Sequence, residues 1–171
     1  MSASWIHKLN ESNSKLYKQD VLTQVLEAAT LGSTNAITFL ELAKATYNPY
    51  VTYGIRKVPD ATVSTSEENP WEDFKELLNQ LAERELSGNA AVDAVEAMSL
   101  RFSDDEWNNF CAPVIRRDLR SGFSVATINK VCKGTNFEVP VFKCQLATNS
   151  EGRPEMSGTK RLEPKLDGVR V

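Results

Sequence analysis

Apolar residues recur at helical spacing through most of the chain, and this pattern constrains the fold more than any other feature. Its strongest instance begins at Asn69-Pro70, where asparagine is a good N-cap, proline fits the first helical position, and Glu72 lies three residues after the cap. The following sequence, WEDFKELLNQLAEREL, runs to Leu86. Its apolar residues at helical spacing predict an amphipathic helix with one buried face, formed by Trp71, Phe74, Leu77, Leu78 and Leu81.

Further helix signals stand before and after this segment. Leu16, Val21 and Leu22 begin one periodic run, and Ser33 is the expected cap of the next helix. The segment 48–59 reads as a break held between prolines and a glycine, and 60–69 as a polar loop. Later signals are a break at Ser87-Gly88-Asn89, a capping box at Ser103-Asp104-Asp105-Glu106, a proline at Pro113 expected to kink the helix or open a second one, and a short helix capped by Ser124.

The pattern changes after Gly134. FEVPVFKCQLA (137–147) is rich in β-branched and alternating apolar residues, as strands are, and RLEPKLDGVRV (161–171) reads as a strand that turns and restarts. We therefore expect a mainly α fold. Residues 1–134 form a helical domain in this interpretation, and residues 135–171 begin a β-containing domain that the chain does not complete.

Composition excludes several classes of protein and site. No stretch approaches 18 uninterrupted apolar residues, and the N-terminus lacks the apolar core of a secretory signal, so we expect a cytoplasmic protein without a membrane span. Cys111, Cys132 and Cys144 form no CxxC pair, and His7 is the only histidine. A structural zinc site, a disulfide framework and Cys-His or Ser-His-Asp catalysis are therefore disfavoured.

Charge is distributed unevenly along the chain. Residues 1–100 hold 8 Lys and Arg against 14 Asp and Glu, a net charge of −6, whereas residues 101–171 hold 12 against 9, a net +3. A basic C-terminal half can attract phosphate even when the whole chain is acidic. Random scatter of surface charge explains the same counts, so charge alone leaves both interpretations open.

The two glycine breaks each precede a helix N-terminus, where free N–H groups and the positive end of the helix dipole attract phosphate. Capping and turning by glycine and serine explain the same residues, so this pattern also leaves both interpretations open. The second break is surrounded by basic residues, including Lys133. The candidate phosphate-contacting residues are Ser87, Gly88, Asn89, Arg116, Arg117, Arg120, Ser121, Gly122, Ser124 and Lys130.

The motif K-x-D-G-x-R occurs at Lys165-Leu166-Asp167-Gly168-Val169-Arg170. An ordinary surface turn built on Asp-Gly is one interpretation. The other is a lysine nucleophile held at a strand end, since a strand followed by a tight turn is a rigid platform for a reactive amine. Glu163-Pro164 directly precedes the lysine.

The segment EPKLDGVR resembles the nucleotide-binding motif of the ATP-dependent DNA ligases. The preceding helical part is similar to the N-terminal DNA-binding domain of the T-even bacteriophage ligases. The segments that carry this second resemblance are RELSGNAAVDAV (84–95), VIRRDLRSGFSVATINKV (114–131) and PVFKCQLA (140–147). The resemblance implies that residues 1–134 are a helical DNA-binding domain and that 135–171 open an adenylation (nucleotidyltransferase) domain.

The same resemblance implies roles for individual residues. Lys165 would attack the α-phosphate of ATP and become a lysyl-AMP. Glu163 would read the adenine amino group, and Arg170 would contact the ribose or phosphate side of the nucleotide. Asp167 and Gly168 would shape the turn. Mg²⁺ would offset charge on the leaving pyrophosphate, and its ligands are expected downstream of residue 171.

The function implied is the sealing of nicks in double-stranded DNA during replication, repair and recombination. The implied protein is a monomer in the cytoplasm, that of the host if it is phage-encoded, with replication proteins such as a sliding clamp as further partners. The chain alone is expected to be inactive. Alternatives are a non-catalytic helical DNA-binding module, an RNA ligase or a capping enzyme, and an NAD-dependent ligase, which is disfavoured because no cofactor-specific aromatic domain precedes the lysine.

Overall fold

The computed structural model describes residues 3–62 and 70–142, and within these two stretches all regular secondary structure is helical. This confirms the mainly α fold. None of the helices described is long and apolar enough to cross a membrane. In chain order the elements are α1 (Ala3–Asn10), α2 (Lys15–Thr30), α3 (Thr34–Tyr47), α4 (Trp71–Ala82), α5 (Gly88–Ser99), α6 (Asp104–Glu106), a π-helical turn (Trp107–Cys111), α7 (Ala112–Arg116) and α8 (Val125–Cys132).

Helix starts follow the local signals closely. The Ser103 hydroxyl accepts a hydrogen bond from the Glu106 N–H at 3.3 Å, which confirms the predicted cap of α6. The Glu106 carboxylate accepts a hydrogen bond from the Ser103 hydroxyl, and not from the Ser103 backbone N–H. Helix α4 begins at Trp71, one residue later than predicted, so that Pro70 occupies the cap position. The expected cap Asn69 lies outside the described residues.

Pro113 lies in the first turn of α7 and therefore opens a second helix, which is one of the two predicted outcomes. The join to α6 is a π-helical turn, in which the Ala112 N–H bonds to the Trp107 carbonyl five residues earlier. A proline has no N–H, so a carbonyl in the preceding turn loses its usual partner. The wider π turn changes the hydrogen-bonding register directly before the proline and lets the chain remain helical through it.

The core is built around a cluster of buried aromatic rings. Trp107 and Phe110 come from the π turn and are fully buried, and Phe39 of α3 stacks on Phe110 at a centroid distance of 5.4 Å. Trp71 of α4 meets Phe102 edge to face at 4.8 Å. Such pairs contribute about 0.5–1.5 kcal/mol beyond the burial of their area. Trp71 is therefore a core residue, as the spacing predicted, and Trp107 lies in the same core.

The remaining helices pack around this cluster. Helix α3 folds back on α2 through the short turn at 31–33, and α2 also contacts α8. Helix α7 packs on α3, α1 on α2 and on the π turn, and α5 on α4. Short connections of this kind are typical of helices that neighbour each other in a bundle.

Residues 48–62, which cover the predicted break (48–59) and the first residues of the predicted loop (60–69), have no helix or strand. The segment is held by side chains of the π turn: the Trp107 indole N–H donates to the Pro59 carbonyl at 2.8 Å. The Asn108 amide both donates to and accepts from the Ala61 backbone, at 2.9 Å each. These bonds satisfy backbone groups that would otherwise lack partners in an irregular segment.

The strand predicted for residues 137–147 is wrong over 137–142, where the structure has no strand. The Val139 N–H donates to the side-chain oxygen of Asn129 in α8, and the Val139 carbonyl accepts from the side-chain nitrogen of the same residue, at 2.8 Å each. A side chain therefore supplies the bonds that a neighbouring strand would supply, and Pro140 lacks the N–H that a ladder needs. Residues 143–147 lie outside the described part of the chain, and the domain boundary at 134/135 stays a prediction.

We expect Cys111 and Cys132 to resist alkylation by iodoacetamide in the native protein at pH 8. Both are fully buried, and burial raises the pKa of the Cys111 thiol well above its usual value and that of Cys132 to about 11. For Cys132, the stability that comes from burying the neutral thiol is present below about pH 9 and is lost as pH rises through about 11. Mass spectrometry of labelled peptides, with and without urea, measures the protection. Equal labelling of native and unfolded protein would contradict it.

Candidate nucleic-acid interface

The two helices that follow the glycine breaks both begin without a side-chain cap. Ser87 precedes α5 and Ser124 precedes α8, and neither hydroxyl accepts a bond from the helix backbone. In the described structure the N–H groups of the first turn have no acceptor at Asn89 and Ala90, nor at Val125 and Ala126. Uncapped N–H groups at a helix start attract anions. Helix α3 also starts without a side-chain cap, so this feature alone does not define a site.

A groove of about 570 Å³ lies at the start of α5. Gly88 and Asn89 line one part of it, and Arg56 and Lys57 from the irregular segment line another. Both basic side chains are exposed, and neither has an ion pair or hydrogen bond to a residue within the described ranges. The acidic Glu96 also lines the groove. Sequence reasoning missed Arg56 and Lys57, although two adjacent cations in GIRKVP were a visible signal.

The turn before α8 has an unusual backbone. Arg120 and Gly122 both have positive φ, 51° and 63°. An arginine in this conformation costs about 1–2 kcal/mol, so the surrounding contacts must compensate. The Asp118 carboxylate accepts from the Arg120 N–H at 2.9 Å, and the Ser121 hydroxyl donates to the Leu119 carbonyl at 3.0 Å. These bonds hold the turn in one shape.

The candidate residues around this turn differ in their exposure to solvent. Arg120, Gly122, Ser124 and Lys130 are exposed, and the Arg120 side chain makes no hydrogen bond to any described residue. Lys130 donates to the neutral Gln19 side chain at 3.3 Å and so keeps its charge unpaired by an acid. Ser121 is 1% exposed, and its hydroxyl is used inside the turn. The exposed residues can meet a phosphate directly, whereas Ser121 shapes the turn.

Arg116 and Arg117 are engaged with the protein itself. The Arg116 guanidinium donates to the Val58 carbonyl at 2.9 Å and forms an ion pair with Asp60 at 3.3 Å. The Arg117 guanidinium donates to the Asn48 carbonyl at 2.6 Å and the Thr46 carbonyl at 3.4 Å, at the end of α3. Cations commonly satisfy the last carbonyls of a helix in this way. Both arginines hold the irregular segment against the helices.

The motif residues Glu163, Lys165, Asp167, Gly168 and Arg170 lie outside the described residues. Within the described ranges, no group of three or more His, Cys, Asp or Glu side chains is arranged to hold a metal ion. The roles of these residues toward ATP, and the requirement for Mg²⁺, therefore stay predictions.

Comparison with known proteins finds solved structures that are similar to this chain. No protein family model and no curated protein matches the chain. A solved chain named Pmar-Lig_PreS3 matches with 36% sequence identity and a TM-score of 0.76, over 88% of this chain and 34% of its own length. A second, named Pmar-Lig_Pre., matches with 34% identity and a TM-score of 0.75, over 91% of this chain and 35% of its own.

The chain thus spans about a third of the length of each of these structures. Both names contain the abbreviation Lig, for ligase. The chain therefore has a ligase-related fold, at a sequence identity well above that of proteins that share a fold alone.

Proposed function

We propose that this chain is the N-terminal part of an ATP-dependent DNA ligase, and that its helices bind the duplex on which a nick is sealed. The observation that carries the proposal is the match to two ligase-named structures over about nine-tenths of this chain. The sequence supports the proposal with the K-x-D-G-x-R motif at residues 165–170. This motif follows a long helical domain, an arrangement that fits the DNA ligases better than the RNA ligases or the capping enzymes.

The proposed contact with DNA is through phosphates. The exposed N–H groups at the starts of α5 and α8 supply neutral donors, and Arg120 and Lys130 supply charge. Donors of this type bind the sugar-phosphate backbone and carry no information on base sequence. A nick-sealing protein needs such binding because nicks occur in any sequence. No exposed row of aromatic residues among those described suggests stacking on single-stranded bases.

The proposed chemistry resides in the C-terminal segment. The Lys165 amine attacks the α-phosphorus of ATP, an N–P bond forms, and pyrophosphate leaves with the broken P–O bond. The AMP then passes to the 5′-phosphate at the nick, and the adjacent 3′-hydroxyl displaces it. ATP and Mg²⁺ are the required small molecules in this proposal.

We expect Arg120→Ala to weaken binding to a nicked duplex while leaving thermal stability nearly unchanged. Removing one phosphate contact lowers the slope of log K against log salt concentration by about 0.9. Fluorescence anisotropy with a labelled duplex at several salt concentrations measures both the affinity and the slope. A native chain whose duplex affinity does not depend on salt would refute the phosphate contacts.

Arg117→Ala is the matched comparison, since it removes the same charge three residues earlier. Its guanidinium bonds two carbonyls of the protein, so we expect a stability loss of about 1–3 kcal/mol in urea denaturation. We expect its salt slope, measured where the variant is fully folded, to match the native one. The reverse pattern in the two variants would assign Arg117 to DNA and Arg120 to the fold.

A further inference from the structure

Lys18 lies in an unexpected environment for a lysine of an amphipathic helix. It is 3% exposed, and its ammonium group donates a hydrogen bond to the carbonyl of Ser121. A Cβ atom placed on Gly122 would lie 2.7 Å from the Lys18 Nζ. The ammonium therefore sits directly beneath the turn that leads into α8. Position 122 has two reasons to be glycine, its positive φ and this close approach.

The Lys18 charge has no acidic partner in the described part of the chain, where no carboxylate oxygen lies within 4 Å of its ammonium. A buried ion without a counter-charge is expensive unless it is fully hydrogen-bonded. The Ser121 carbonyl occupies one of its three N–H donors. A negative group above the turn would compensate the remaining charge.

The geometry of the Ser121–Gly122 peptide directs the Gly122 N–H toward the outer side of the turn, where such a negative group would bind. The Ser121–Gly122 peptide is trans, since the described backbone has no cis bond. In a trans peptide the carbonyl and the following N–H point in opposite directions. The Ser121 carbonyl faces the buried Lys18, so the Gly122 N–H points away from it. That N–H has no acceptor among the described residues, and Gly122 is exposed.

We propose that Lys18 is a buried positioning residue for a phosphate of duplex DNA that binds on the turn formed by residues 121–124. Its ammonium holds the Ser121 carbonyl inward and thereby presents the Gly122 N–H outward. The positive charge of Lys18 lies close beneath Gly122, which has no side chain. This charge attracts the phosphate across the turn. This inference rests on the proposed function, because it names a supporting residue for the DNA contact.

The test is the variant Lys18→Met in the full 171-residue chain. Methionine keeps the apolar stem as far as Cε and removes a buried charge that is itself costly, while the Ser121 carbonyl loses one hydrogen bond, worth about 1–3 kcal/mol. We expect the variant to fold and to bind nicked duplex roughly tenfold more weakly at low salt, with the salt slope reduced by up to about 0.9. Lys15→Met, an exposed lysine one helical turn earlier, removes equal charge and should change affinity by less than about twofold.

The outcomes separate this inference from the proposed function. If the native chain binds duplex with a steep salt dependence and Lys18→Met binds equally well, the role of Lys18 is overturned and the proposed function stands. If the native chain does not bind duplex, the proposed function fails. A Lys18→Met variant that loses stability but keeps the native affinity and slope shows a structural role alone and also overturns the inference.

A measurement on the native chain covers the case in which the variant does not fold. Titration with a short nicked duplex should shift the Gly122 amide resonance in nitrogen–proton NMR spectra, and it should shift the Lys18 Nζ resonance with it. The amide of Gly32, a glycine of positive φ in the α2–α3 turn, serves as the comparison and should not move. An unmoved Gly122 resonance at saturation would overturn the proposal.

Discussion

In the full-length ligase that we propose, Lys165→Ala should abolish the transfer of AMP to the protein. Alanine has no nucleophilic atom to attack the α-phosphorus, and loss of a covalent nucleophile commonly reduces the rate by about 10³-fold or more. The measurement is incubation with Mg²⁺ and ATP labelled at its α-phosphate, followed by detection of label on the denatured protein. Nick sealing that starts from ATP should be lost together with the label.

Lys160→Ala is the control, because it removes a lysine five residues earlier that lies outside the motif. We expect this variant to take up label as the native protein does. Label that persists in Lys165→Ala would move the nucleophile elsewhere. A full-length protein that takes up no label in any form would leave a non-catalytic DNA-binding module as the better description.

The second large effect is expected from Trp107→Ala, which should destabilise the helical part by about 3–5 kcal/mol through the cavity that it leaves. Trp107 is fully buried among aromatic rings, with Phe74 and Phe102 at centroid distances of 6.1 and 6.0 Å. Its indole N–H also satisfies the Pro59 carbonyl. Domains of this size are stable by roughly 5–15 kcal/mol, so the loss is a large share of the total. Urea denaturation followed by circular dichroism measures it.

Two further variants separate the contributions. Trp107→Phe keeps an aromatic ring but removes the indole donor, so we expect a smaller loss of about 1–3 kcal/mol. Leu31→Ala changes a side chain that is 89% exposed and should stay within about 0.5 kcal/mol of the native value. Equal stability of Trp107→Ala and Leu31→Ala would contradict the placement of Trp107 at the centre of the core.

The helical part could be predicted from local sequence signals. Ser103 and Glu106 lie three residues apart, so their cap depends only on neighbouring residues, and the structure confirms it. The spacing of Trp71 and Phe74 placed them on a buried face for the same reason. Such features follow from the geometry of a single helix and require no knowledge of the other elements.

The candidate site was less readable, because its residues are assigned by contacts across the chain. Arg116 and Arg117 were equal to Arg120 in the sequence, yet they bond to carbonyls 58 to 71 residues away. The strand predicted at 137–142 failed because the partner of Val139 is the Asn129 side chain. No local pattern distinguishes a cation that faces solvent from one that holds a distant loop.

The sequence by itself determined where helices begin, which faces they bury, and which lysine is the candidate nucleophile. Each of these is local, set by caps, by the 3.6-residue period or by a short motif. Tertiary structure alone decided which cations remain exposed and where the Lys18 ammonium lies. Lys18 and Ser121 are 103 residues apart, and only the packing of α2 against α8 brings that charge beneath the Gly122 turn.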